Sequence, residues 1–357
     1  MKFCPECGSK LTSESAKFCS ECGFKLSNLL PEANEKASNT CNLNENAEPE
    51  LGEFEKSMCF FEYTEEPDES YVIQRCIDDF AKTILVPEGV SEISASAFRE
   101  HSCLEEIVLP RSLISIGESA FEGCKNLKKV TLYGAIELGE KAFYMCTSLK
   151  SVSLPANLLR IEADTFSGCW SLQDVEIPEG LGSISDRAFY YCKSLKSVKL
   201  PSSLVFIGVN AFSQCQSLRS ADMLDGVRYI DDGAFSHCSQ LKEFTIPKSV
   251  NYMGCSVFFG CTSLKSVTFD EGFPEISSRM FSGCTALTQV VISKGIKTIG
   301  DYAFAYCTGL KKVIVPSETA VKDGAFYGIS NLTICSGSGS SAESYSKKYN
   351  VTFETVS

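Results

Sequence analysis

The chain has 357 residues, 44% of them apolar and 22% charged, which is apolar material enough to bury a large core. Its net charge of −12 disfavours nucleic acid as a partner, because an acidic chain repels a phosphate backbone at long range. No apolar run approaches the length of a bilayer span, and Met1-Lys2-Phe3-Cys4-Pro5 lacks the apolar stretch of a signal peptide, so a cytoplasmic protein without membrane insertion is expected.

The first element is residues 1–26. Cys4-Pro5-Glu6-Cys7-Gly8 and Cys19-Ser20-Glu21-Cys22-Gly23 are two Cys-x-x-Cys knuckles, each closed by a glycine that tolerates the turn. Four thiolates at this spacing fit one tetrahedral Zn2+ and leave no open position for water, which predicts a structural metal through Cys4, Cys7, Cys19 and Cys22. The segment resembles the small bacterial zinc-ribbon family. So few residues bury too little to fold alone, and metal binding, worth about 10–16 kcal/mol in small zinc modules, is expected to supply the folding energy. Lys2, Lys10, Lys17 and Lys25 nearly cancel against Glu6, Glu14 and Glu21, which weakens a nucleic-acid role for the ribbon.

Residues 27–57 follow, poor in apolar residues and rich in Asn and Glu, with no sustained period; they read as an acidic, flexible tether. Ten of the twelve excess negative charges fall between residues 27 and 70.

From residue 87 to 335 a unit of 22 or 23 residues recurs eleven times, marked by Phe98, Phe121, Phe143, Phe166, Phe189, Phe212, Phe235, Phe258, Phe281, Phe304 and Phe326. Such regularity means one unit stacked on copies of itself. Counting from each Phe, Leu stands at +6, an apolar residue usually at +9 and +11, and often Pro at +12, as in Leu195-Lys196-Ser197-Val198-Lys199-Leu200-Pro201. That is a short in/out strand ended by a residue that cannot extend the ladder. A second apolar column runs through Ile93, Ile116, Leu138, Ile161, Ile184, Ile207, Ile230, Met253, Ile276, Ile299 and Val321. Gly117-Glu118-Ser119-Ala120-Phe121-Glu122-Gly123-Cys124 shows the remaining motif, whose Ala, Phe and Cys would share one face of a helical turn. The pattern is similar to the BspA-like leucine-rich repeat family over residues 58–357. The resemblance implies a solenoid of parallel strands, mainly β with short helical turns, capped by residues 58–86 and 336–357. At about 4.8 Å per coil, eleven units make a curved rod roughly 50 Å long.

Nine cysteines at +3, Cys124, Cys146, Cys169, Cys192, Cys215, Cys238, Cys261, Cys284 and Cys307, read as buried, reduced packing groups, since thiols in register point the same way and an odd number cannot pair. His101 takes that place in the first unit and reads as a wet cap residue. Cys41, Cys59, Cys76, Cys103, Cys255 and Cys335 fit neither pattern.

The open strand face presents mostly small polar residues at +8 and +10, a broad surface without aromatic anchors. Beside it, at +7, stands a basic column: Lys128, Lys150, Lys196, Arg219, Lys242, Lys265 and Lys311. Like charges at strand spacing repel, so the column is either solvated or matched by anions, from a partner or from the chain's own tether. Two histidines, no phosphate-binding Gly loop and no nucleophile elbow give no support to enzyme chemistry. The expected function is a monomeric intracellular scaffold whose repeat surface binds protein and whose zinc ribbon serves as a structural docking module. The alternatives are a nucleic-acid adaptor acting through the ribbon, or a surface or host-binding protein like the secreted members of the family it resembles.

Overall fold

In the computed structural model, residue 58 and residues 60–134, 137–268 and 273–356 are described. The four knuckle cysteines, the 27–57 tether, Cys41 and Cys59 lie outside them.

Each repeat forms one coil with three backbone runs. The first is a strand of three or four residues, such as Ser151–Ser153, in which Val152 is buried and the two serines are exposed. It pairs in parallel with Asp174–Glu176 one coil on, Val175 against Val152. A 23-residue offset places like on like, so an alternation that hides one Val hides the whole column. The second run is only two residues long, as in Arg160–Ile161 against Ser183–Ile184. Its inner member supplies the second apolar column, buried from Ile93 to Ile299, with Val321 half-buried at the end. The ladders are parallel throughout the repeats, and among the described residues only the opening hairpin, Phe61–Glu65 with Tyr71–Cys76, is antiparallel.

The third run departs from the expected helical turn. Residues two before and two after each Phe have left-handed backbone, for example Lys141 (φ 57°) and Met145 (φ 58°), and no helix continues through them. Half of the N–H groups close i to i+3 turns, as Cys146 to the Phe143 carbonyl at 3.2 Å. The other half donate forward to the next coil: Phe143 to Thr165 (2.9 Å) and Met145 to Ser167 (2.8 Å). The run is therefore a third ladder built of turns, and it still brings Ala, Phe and Cys to one buried face. A large residue at its second left-handed position lies over the next coil. There glycine leaves room: a Cβ at Gly260 would meet His237 Nδ1 at 2.7 Å, and one at Gly328 would meet Tyr306 Cδ1 at 2.7 Å.

The eleven phenylalanines stack as a continuous column, with centroids 4.8–6.0 Å apart and planes within 17°. Beside them all nine +3 cysteines are buried and unpaired. Each Sγ–H donates to the carbonyl of the Phe in the preceding coil, at 3.0–3.3 Å. The thiols thus fill the second acceptor position of carbonyls already used by the turn. Only the protonated form can donate.

The first coil differs from expectation. His101 is 4% exposed, so it is a core residue and not a wet cap. Its Nδ1 accepts from the Leu104 N–H at 3.2 Å, which leaves the proton on Nε2 to donate to the Asp78 carbonyl at 2.6 Å. It does for the capping segment what the thiols do for the coils.

Both ends of the aromatic column are closed edge-on: Phe61 meets Phe98 at 5.9 Å and 69°, and Tyr345 meets Phe326 at 5.7 Å and 82°. Tyr345 sits on the helix Ser341–Tyr349, which Ser340 caps by accepting the Glu343 N–H and Asn350 ends in left-handed backbone (φ 53°). Glu343 in its first turn and Lys347 and Lys348 in its last suit the helix dipole. The Tyr345 hydroxyl accepts the Phe326 N–H at 2.9 Å, the donor that would otherwise reach forward to a twelfth coil. Tyr345→Phe keeps the ring and orphans that donor, so a loss of about 1–3 kcal/mol in denaturant unfolding is expected. A loss below about 0.3 kcal/mol would show that water takes over the donor.

Candidate protein-docking surface

The seven basic residues at +7 all lie exposed in the structure, at the corner where the turn run becomes the first strand. Their backbones carry the ladder past the strand ends, Arg219 N–H to the Lys196 carbonyl at 2.9 Å and Lys265 N–H to the Lys242 carbonyl at 2.8 Å, so the side chains stand one coil apart.

Electrostatically the column divides. At its N-terminal end Lys82 and Lys128 flank Glu105, at 3.4 and 2.5 Å, and the Lys128 hydrogen bond holds the Glu105 carboxyl below its usual range. Lys196 donates to Gln173 Oε1 at 2.8 Å. Arg219, Lys242 and Lys265 occupy three consecutive coils, and among the described residues none of the three has an acid within ion-pair distance. Three aligned cations repel one another, and an anionic partner relieves that repulsion. The strand face beside them is small and polar at mid-rod, while Val291 and Ile314 make its C-terminal part apolar.

Sequence reasoning missed an aromatic cluster on the same corner. Trp170, the chain's one tryptophan, lies at +4 and is 43% exposed. Lys193, at +4 in the next coil, holds its Nζ 4.8 Å from the Trp170 ring centre and 5.3 Å from that of Tyr191. Tyr190 packs edge-on against Tyr191 at 4.6 Å. The spacing signal was present, because the +4 column can be followed as the +7 column was. On the opposite side of the coil, Phe206, Tyr229 and Tyr252 are in register on the short-strand ladder, the two tyrosines each 46% exposed.

A cavity of about 270 Å³ at the N-terminal end is lined by Arg75, Asp79, Arg99 and His101 among others. His101 has both ring nitrogens engaged and Arg99 is paired with Glu122, so neither is poised for chemistry. Among the described residues no three His, Cys, Asp or Glu side chains gather as metal ligands, and no helix is long and apolar enough to cross a membrane.

The family model described as the BspA type leucine-rich repeat region, in six copies, matches residues 78–179, 159–272 and 230–348. A leucine-rich repeat protein of Bacteroides ovatus is similar in structure, with a TM-score of 0.62 and 22% identity over 78% of this chain and 70% of that one. The pneumococcal vaccine antigen PcpA has a TM-score of 0.50 and 16% identity, over 80% of this chain and 92% of its own. A leucine-rich cell surface protein of Faecalibacterium prausnitzii is 24% identical over 80% and 95%, with a TM-score of 0.48. No curated protein matches the chain.

Proposed function

We propose, from the premise that the chain belongs to the BspA-type leucine-rich repeat family, that it is a non-enzymatic scaffold whose solenoid corner docks an acidic protein. The run Arg219, Lys242 and Lys265 carries this reading: three exposed, aligned cations beside a polar strand face form a surface complementary to carboxylates. Arg219→Glu, Lys242→Glu and Lys265→Glu introduced together are expected to weaken a co-purifying protein partner about 100-fold or more, since like-charge contacts cost several kcal/mol. Pull-downs of both full-length forms after nuclease treatment, followed by titration of the recovered partner, check this. A partner held equally by both forms would move the docking site elsewhere, and recovery lost with nuclease would favour the nucleic-acid reading.

Two placements of this surface are supported by different observations. PcpA, which shares the fold, is a vaccine antigen, and this favours a surface or host-binding protein. The column of unpaired, buried thiols favours a reducing compartment, because oxidising ones select for disulfides. The relatives give the surface placement the greater weight. Protease digestion of intact cells decides between them: loss of the solenoid marks it as external, and survival until lysis as internal.

The N-terminal module completes the proposal, as a structural bead holding one Zn2+ through Cys4, Cys7, Cys19 and Cys22. Elemental analysis of the full chain is expected to give one zinc per chain, lost in Cys4→Ser/Cys22→Ser. Unchanged zinc in that variant would sink the assignment.

A further inference from the structure

The corner that bears the basic column also carries an apolar trail toward the N-terminal end. Phe80, 83% exposed, lies in the capping segment one period before Cys103, at the +5 position, and Trp170 stands at +4 four coils further along. Lys125, exposed at +4, and Lys128, Lys150 and Lys193 lie between or beside them. Asp78 and Asp79 precede Phe80 and Glu105 pairs with Lys128, so the cations open to an acidic segment are Lys125, Lys150 and Lys193, toward Trp170. Two rings roughly 20 Å apart along the rod, with cations at the Trp170 end, suit an extended segment that combines carboxylates with apolar side chains.

Such a segment precedes the described fold in this same chain. Residues 43–54 hold four glutamates, Glu45, Glu48, Glu50 and Glu53, with Leu43, Leu51 and Phe54, and no basic residue. The path of the chain favours it as well. The Ile77 N–H donates to the Phe60 carbonyl at 2.8 Å, and Ile77 lies one period before Glu100, at +2. The polypeptide therefore joins the rod on the side of the +4 column. Twelve to fifteen extended residues span about 40–50 Å, twice the distance from there to Trp170.

We propose that residues 43–54 dock in cis along this corner, covering Phe80 and Trp170 and competing with an acidic partner that extends from the Arg219–Lys265 run onto Lys150 and Lys196. The inference rests on the reading of that column as an acid-binding surface and gives it a regulator: a partner must displace the tether or meet a chain whose tether is released. Tethering supplies a high local concentration, so a modest intrinsic affinity suffices for occupancy.

Trp170 is the only tryptophan, so its fluorescence reports on this corner alone. The test compares the full-length protein with its Glu45→Gln/Glu48→Gln/Glu50→Gln/Glu53→Gln variant. Acrylamide, a neutral quencher, and polyglutamate, a stand-in for the acidic partner, are titrated into each. The wild type is expected to be shielded from acrylamide at low salt and to lose that shielding at high salt; the variant is expected to be quenched freely at both. Polyglutamate is expected to bind the variant about tenfold more tightly. Equal quenching of the two forms, with polyglutamate bound equally, overturns the cis contact and leaves the acid-binding column standing. Differential quenching with no polyglutamate bound to either form keeps the contact and overturns the partner reading. Shielding that disappears on dilution assigns the contact to a second copy of the chain and overturns the cis form.

Discussion

Above about pH 9 the folded rod is expected to lose stability at a rate approaching 11 kcal/mol per pH unit, because it holds protons that the unfolded chain releases. Burial, the leading cause, raises the thiols of Cys146, Cys169, Cys192, Cys215, Cys238, Cys261, Cys284 and Cys307, those of Cys261 and Cys307 to about 12. Unfolded thiols titrate near pH 8.5. Between that value and the raised native ones, the native state binds more protons than the unfolded state, so stability must fall as pH rises. Each fully ionised thiol contributes about 1.4 kcal/mol per pH unit, and eight together exceed what one domain of ordinary stability, about 5–15 kcal/mol, can sustain over two units. Below about pH 8 the same groups are protonated in both states and their effect vanishes. Urea midpoints between pH 7 and 10.5, in reducing buffer, test this. Cys192→Val/Cys215→Val removes two of the titrating groups and is expected to lower the slope by about 2.7 kcal/mol per pH unit. That difference separates the thiols from tyrosines titrating in the same range. A midpoint flat to pH 10 would mean that the cysteine column is neither dry nor donating.

Much of this arrangement is legible from residue spacing, because in a solenoid a sequence period is a spatial contact. The Phe, Cys and Ile columns could be followed from the sequence for that reason, and each is buried as a stack. The turn run was not legible as such. Ala, Phe and Cys at spacings of three and four satisfy one helical turn and an i to i+3 turn chain alike. What distinguishes them is the left-handed backbone at residues such as Lys141, Arg187 and Tyr302, types that give no warning of it. His101 is not legible as a core residue from its type, because the vacancy it fills is set by the column. The basic column was legible as a list of residues, but its division was not: Glu105 neutralises Lys128 because it holds the same +7 place one coil earlier, so a pairing between coils decides which cations are free. Trp170 is not legible from the strand pattern because it stands at +4, on the corner outside the +8 and +10 positions that define the open face.

Phe189→Ala is expected to cost about 3–5 kcal/mol, the upper range for losing a buried ring. Phe189 is fully buried and lies between Phe166 at 5.4 Å and Phe212 at 5.2 Å, with interplanar angles of 12° and 5°. The cost of such a truncation depends on whether the surroundings can collapse into the space, and here they cannot. The Phe189 N–H donates to the Ala211 carbonyl at 2.8 Å, and the Phe189 carbonyl accepts from the Cys192 N–H and from Cys215 Sγ, so backbone bonds on both sides hold the coils at their spacing. Alanine keeps all of these bonds and leaves the cavity open. The position in the array adds a second consequence. Each coil is stabilised by its two neighbours, so a defect in the fifth of eleven weakens two interfaces at once and uncouples the halves of the rod. Denaturant unfolding of the variant is therefore expected to broaden or separate into two steps, whereas Phe326→Ala, next to the capping helix, should fray one end only. A change under 1 kcal/mol with a single sharp transition would show that the strand ladders, and not the aromatic column, carry the cooperativity of the solenoid.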